Sequence, residues 1–315
     1  GGGGGAGGGG RRRVEGGGGD ESQPVEQYEQ PQQLRVSGAK GETFNRTKSV
    51  DYLCDEMTDI RARYPGFRMV NFGDAALNMS RGWLEEFAEK WPARVGLPFA
   101  CNININYLDE EEIVQLKRAG CASVQFGLES GNEDVRMRVY RKGYTDNMVE
   151  EIPRLLRKHR ITFRTNNIMG SPAETLEDMF NTVEVNRRIK PQGCTVLIYR
   201  PFKSTELGVE DFEAGRVEES RDIGPSLQLD SQMRRDDLRE VVNLQKLFNV
   251  GVYLPFGPQL IKLLIKLPRN PLYDFTLLAF LWYQHAVVSG YGMLDDFKLG
   301  WKNIGQIFGR RKGGT

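Results

Sequence analysis

Between Lys48 and Arg200 the chain repeats one hydrophobic pattern five times, a helical period followed by a short extended run, and few folds accept that rhythm. The helical period from Lys48 to Arg63 is broken by Pro65 and Gly66 before the extended run Arg68 to Phe72. The unit recurs as Trp83 to Trp91 before Phe99 to Ile103, and as Asp109 to Ala119 before Ser123 to Leu128. It recurs again as Thr145 to His159, with a kink expected at Pro153, before Thr162 to Met169, and as Thr175 to Lys190 before Gly193 to Arg200. A helix between two strands carries the chain back to the same end of the sheet, so successive strands run parallel. A parallel α/β sheet follows, while periodicity alone leaves its closure into a barrel open.

Beyond Pro201 the extended runs stop. Arg234 to Asn249, Pro258 to Lys266, Asn270 to Ser289 and Trp301 to Phe308 read as helices, an all-helical C-terminal extension. The apolar run Phe275 to Tyr283 is shorter than the roughly 20 residues a membrane span needs, which predicts a helix buried against the sheet. An alternative places Lys262 and Lys266, among Leu260, Ile261, Leu263, Leu264 and Ile265, against lipid headgroups, a peripheral membrane contact through 258–289. At the other end, residues 1–45 are rich in Gly and Gln and bury too little apolar surface to offset the entropy of ordering, so they read as a disordered tail. The expected organisation is therefore 1–45 tail, 46–208 α/β part and 209–315 helical part.

Charge narrows the partners. Lys and Arg total 43 against 42 Asp and Glu, a net +1 that gathers no polyanion, so nucleic acid is not indicated. The chain shows no secretory signal pattern, which predicts a cytoplasmic protein. Its four cysteines, Cys54, Cys101, Cys121 and Cys194, stand far apart and form no CxxC-like ligand loop; they read as small buried hydrophobes. His159 ends a basic helix terminus and His285 sits in an apolar helix, neither at zinc-site spacing.

Candidate chemistry gathers at strand ends, because in parallel α/β barrels the loops there converge on one mouth. In Ser123 to Glu129 the residues Val124, Phe126 and Leu128 share one face and Gln125, Gly127 and Glu129 the other, with Ser130 and Gly131 turning the chain beyond. Asn102, Asn104 and Asn106 alternate with Ile103 and Ile105, which predicts a strand carrying three amides on one face. In Asn166 to Glu174, Ser171 fits an N-cap, Pro172 the first helical position and Glu174 the reciprocal cap, while Gly170 lets a ligand approach the backbone. An unrelated α/β enzyme using Glu129 and Asp74 as acid and base stays open on these residues alone.

Phe126 to Gly131 (FGLESG), Arg136 and Arg141 ahead of Thr145, Gly170 to Glu174, Ile198 to Pro201 and Thr205 to Leu207 stand in the order found in radical SAM proteins with cobalamin-binding relatives. Arg46 to Glu56 and Phe72 to Asp74 also fit, so the chain resembles that superfamily over about residues 46–208. The resemblance implies a partial (β/α)6 TIM-like barrel holding S-adenosylmethionine against a [4Fe-4S] cluster, whose electron cleaves the sulfonium to a 5'-deoxyadenosyl radical. It places Glu129 and Ser130 near the ribose and amino acid portion, Arg141 at the carboxylate, and Gly170, Ile198 and Tyr199 around the adenine. Asp74, Asn104, Glu129 and Asn166 are expected to open toward one mouth, with Gly127 a further cofactor-binding candidate.

The departures are as informative. The superfamily ligates its cluster with CxxxCxxC after the first strand, and this sequence has no such triplet. Ala75, Asn104, Lys203 and Ser204 also replace residues usual in relatives. The expectation is a radical SAM enzyme fragment acting on an unknown small-molecule or lipid-like substrate, its cluster loop and any cobalamin domain encoded upstream. The alternative is a catalytically silent homologue that binds a nucleotide or a partner.

Overall fold

The computed structural model describes residues 47–66, 68–78, 80–220 and 230–289. The tail expected at 1–45 and the helix expected at 301–308 lie outside the described residues.

Six helices begin on a Ser, Thr or Asp whose side chain accepts the backbone N–H three residues on, leaving one fewer orphan donor at each start. The caps are Ser49 for α1 (Val50–Arg63), Ser80 for α2 (Arg81–Arg94), Asp109 for α3 (Glu110–Ala119), Thr145 for α4 (Asp146–Lys158), Thr175 for α5 (Leu176–Ile189) and Thr205 for α6 (Glu206–Glu213). The expected cap at Ser171 is thus displaced to Thr175, which forms a full capping box with Asp178. Ser171 still bonds Glu174, but in the turn ahead of the helix. The helix α4 runs through Pro153 without a break.

Between these helices lie β1 (Val70–Phe72), β2 (Phe99–Asn102), β3 (Cys121–Glu129), β4 (Thr162–Met169) and β5 (Gly193–Ile198). They pair in sequence order and every pair is parallel. A sheet that winds in one direction with crossovers of one hand keeps its helices on one face, as in a barrel, rather than on two. The five strands form an open α/β sheet, not a closed barrel. Its outer face packs under the helices: Phe72, Phe87, Trp91 and Phe99 interlock with ring centroids 5.0–6.1 Å apart. Trp91 also donates its indole N–H to Leu97 O at 2.8 Å, so this cluster fixes β1 and β2 against α2.

The free edge of β5 is covered by side chains from the C-terminal helices α7 (Leu238–Tyr253) and α9 (Pro271–Ser289). Gln284 Nε2 donates to Cys194 O at 2.7 Å and Gln245 Nε2 to Val196 O at 3.3 Å, satisfying carbonyls that a sixth strand would otherwise take. The short helix α8 (Gly257–Leu264) joins them. No described helix is long and apolar enough to cross a membrane.

One expected strand is shorter than its alternation implied. β2 ends at Asn102, and Ile105–Tyr107 form a single 3-10 turn capped by Asn104. The three asparagines do not line one strand face; each serves backbone. Asn102 donates to Asp74 O at 2.7 Å, Asn104 accepts from Asn106 N at 3.0 Å, and Asn106 donates to Lys142 O at 2.6 Å. A short polar side chain that bonds nearby backbone competes with strand pairing, which is why period-two spacing misleads there.

Candidate functional site

The carboxyl end of β3 is the centre of the site. Glu129 sits in the left-handed region at φ 63° and is 8% exposed. Its carboxylate folds back over Gly127, where a Cβ would lie 2.1 Å from Oε1, so only glycine leaves room for it. There Oε1 pairs with Lys142 Nζ at 2.9 Å. Lys142 is in turn placed by Asn106, and Tyr144 donates its hydroxyl to Gly127 O beneath the pair. The next residues are pinned just as closely. Gly131 donates to Thr182 Oγ1 at 2.8 Å, with the α5 backbone close enough to exclude any side chain at 131.

The loop that returns from this turn is tied down by Arg136, a guanidinium with no solvent exposure. It donates to Ser130 O at 3.0 Å and Tyr144 O at 3.2 Å and pairs with Asp146 at 2.5 Å. Such a charge is tolerable only because its hydrogen bonds are filled. On the β4 side, Glu174 is 3% exposed; Tyr140 donates to its Oε2 at 3.4 Å and Ser171 Oγ at 3.1 Å, while Oε1 has no partner. Burial raises the Glu174 carboxyl to about 7, against the opposing pull of its hydroxyl and backbone donors. The phenol of Tyr140 is pushed well up, chiefly by burial and then by the charge of Glu174.

The inner face of the sheet adds a polar row. Gly127, Asn166 and Thr195 stand in register across β3, β4 and β5, and Gln125 stands in register with Arg164 and Asn102. All are partly exposed, and the side chains of Gln125, Asn166 and Thr195 make no hydrogen bond to a described residue. Polar groups left half-buried without protein partners suit water or a polar ligand.

The remaining sequence-based candidates scatter. Asp74 is exposed just beyond β1, its carbonyl held by Asn102, and Asn104 lies in the loop after β2, bonded to the buried Asn78. Arg141, in the left-handed region, is turned to Glu206 at 2.9 Å, so the cation beside Glu129 is its neighbour Lys142. Ser130 is fully buried in the turn. The space beside Gly170 is taken by Val241, whose methyl is 2.9 Å from where a Cβ would sit. Ile198 is buried, and Tyr199 gives its hydroxyl to the buried Asp211 at 2.7 Å. Lys142, Asn78, Arg136 and Tyr140 were not singled out as site residues; the charge of Lys142 next to Arg141 and the place of Arg136 in the motif order were the signals.

Comparison with known proteins bears on the whole. Residues 35–185 match the model of the Radical SAM superfamily. The chain is 29% identical over 138 residues to a probable threonylcarbamoyladenosine tRNA methylthiotransferase of Methanocaldococcus jannaschii, covering 43% of this chain and 32% of that protein. It is 28% identical over 168 residues to the bacteriochlorophyllide d C-12(1)-methyltransferase of Chlorobaculum tepidum, covering 52% and 36%. Among solved structures it is similar to the radical S-adenosylmethionine methyltransferase TsrM of Kitasatospora setae, at 22% identity and a TM-score of 0.48, covering 53% and 32%. The chain spans about a third of the length of the curated relatives it matches.

The two cofactors of that superfamily fit these residues differently. All four cysteines are buried and lie on α1, β2, β3 and β5, and the described residues contain no group of three metal-ligating side chains. An iron–sulfur cluster needs converging thiolates, so it does not fit. The nucleoside half of S-adenosylmethionine needs polar groups at strand ends and room beside backbone, and the row Gln125, Asn166 and Thr195 with the unpartnered Glu174 Oε1 provides the first of these. Over residues 35–185, the stretch that the superfamily model matches, the chain is similar to radical SAM superfamily proteins.

Proposed function

We propose that this chain supplies the S-adenosylmethionine-facing part of a radical SAM enzyme acting on a small-molecule substrate, and that it holds the adenosine portion of the ligand. The observation that carries this reading is the row of partnerless polar side chains, Gln125, Asn166 and Thr195, beside the Glu129–Lys142 pair. In this reading Glu129 accepts hydrogen bonds from ribose hydroxyls and Asn166 bonds the ligand across the inner face. Lys142 holds the Glu129 carboxylate in place, and Gly127 leaves it room. Arg136 acts through the loop, as a positioning residue. The cluster, and cobalamin where a relative uses it, belong to polypeptide beyond these four cysteines. Four buried free thiols also support a reducing, cytoplasmic setting.

A second reading is favoured by one specific observation, the lack of converging thiols: a silent homologue that binds a nucleoside without radical chemistry. Both readings require adenosine recognition. Ligand-observed NMR with 5'-deoxyadenosine or S-adenosylhomocysteine is expected to show weak binding, around 1 mM, which is about 4 kcal/mol. Glu129→Ala and Asn166→Ala should each weaken it several-fold, a loss of about 1 kcal/mol per polar contact. A folded parent chain that binds neither ligand removes the site from both readings.

A further inference from the structure

The helix α9 carries two apolar stripes. Tyr273, Leu277 and Gln284 face inward and are 5%, 3% and 1% exposed. Leu272, Phe275, Ala279 and Tyr283, spaced three or four residues apart, form a second stripe on the opposite side, with Leu272 62% and Phe275 67% exposed. A helix apolar on both sides is ordinarily covered on both. Tyr273 donates its hydroxyl to Leu264 O at 3.1 Å, holding the start of α9 against the end of α8, where Leu263 and Leu267 are 70% and 49% exposed. The outer stripe is thereby extended into a broad apolar surface.

The segment that carries most of that surface is basic. From Gly251 to Tyr273 the sequence contains no Asp or Glu, whereas Lys262, Lys266 and Arg269 fall among its exposed leucines. Of the neighbouring acids, Asp274 pairs with Lys246 at 2.6 Å, Asp230 with Arg269 at 3.0 Å and Glu184 with Arg187 at 3.6 Å, while Glu177 and Asp178 of α5 share a cleft with Lys262. Lysines interleaved with exposed Leu and Phe match a surface that is apolar below and anionic above, which is the boundary of an anionic bilayer. A second protein copy would bring the same positive charge against itself. No described helix is long and apolar enough to cross a bilayer, which leaves a peripheral contact as the kind this surface would make.

We propose that the α8–α9 surface, through Leu263, Leu267, Leu272 and Phe275 with Lys262 and Lys266 at the headgroups, docks the protein on anionic lipid. The proposal is independent of adenosine binding, and its failure would leave that reading untouched. Flotation of the full chain with vesicles of phosphatidylcholine plus phosphatidylglycerol should bring the protein up with the lipid. Vesicles of phosphatidylcholine alone, or the same anionic vesicles at high salt, should recover much less. The outward-facing double variant Leu272→Glu, Phe275→Glu should lose flotation while keeping the parent's circular dichroism. Lys266→Glu, which adds no burden to the core, should weaken binding about tenfold or more, because it reverses a basic charge at the headgroup surface. Failure of the folded full chain to float with anionic vesicles would overturn the proposal. So would equal flotation of the parent and Lys266→Glu, or a parent dimer that dissociates in the double variant without any lipid binding.

Discussion

Glu174 is the residue where the physical chemistry is most exposed to measurement. Its carboxyl is buried, receives Ser171 and Tyr140 on one oxygen and nothing on the other. Below its ordinary value of 4.5 the group is protonated in both the folded and the unfolded chain. Between 4.5 and about 7 the folded protein keeps a proton that the unfolded chain has released, so the folded state binds more protons and stability falls as pH rises through that window. Above about 7 the full cost of an ionised buried carboxylate is present. Glu174→Gln keeps the shape and one acceptor while removing the charge. It is expected to match the parent near pH 4 and to be more stable at pH 8 by on the order of 2–3 kcal/mol, with a flatter dependence between. Urea unfolding at the two pH values checks this, and an unchanged slope for the variant would show that Glu174 does not carry it.

At the scale of elements the edge of β5 is the place where helices do the work of a strand. Gln284 Nε2 donates to Cys194 O and to Asn249 Oδ1 at 3.1 Å, while its Oε1 accepts from Arg164 at 3.3 Å. Gln284→Leu keeps the volume and strands all three partners, so a loss of about 2–4 kcal/mol is expected by urea denaturation, more than one hydrogen bond is worth, because buried groups are left unpaired. These pairings join residues 35 to 120 apart, and nothing local announces them. What was legible in the sequence is what local periodicity controls: the five strands, the alternation in β3 that puts Gln125 and Gly127 on the inner face, and the helices with polar caps. The sequence reading failed where a short polar residue serves backbone instead of a ladder, as at Asn104. It also passed over α6. The choice between Arg141 and Lys142 at Glu129 depends on a left-handed turn at Arg141, which spacing cannot reveal.

For the whole molecule, the question is whether its thiols can gather iron, and here every cysteine in the sequence is among the described residues. Burial pushes the Cys54 thiol up and the Cys194 thiol to about 12, and hydrogen bonding to Cys121 together with burial raises Cys101 well above its ordinary value. Ligation requires the deprotonated form, so these environments oppose it, and only Cys101 and Cys121 lie together. A pair of ligands on neighbouring strands cannot complete a site that takes four thiolates, or three with an open iron. Anaerobic reconstitution of the purified chain with iron and sulfide is therefore expected to leave it without the broad visible charge-transfer absorption of a [4Fe-4S] protein, and with iron far below about four atoms per chain. Replacing Cys101 or Cys121 by Ala should alter stability alone, by about 1 kcal/mol as for a small buried hydrophobe, and leave the iron content where it was. Iron that binds at full stoichiometry and is lost in either variant would mean that the two strands open to present their thiols, and would return the radical chemistry to this stretch of polypeptide.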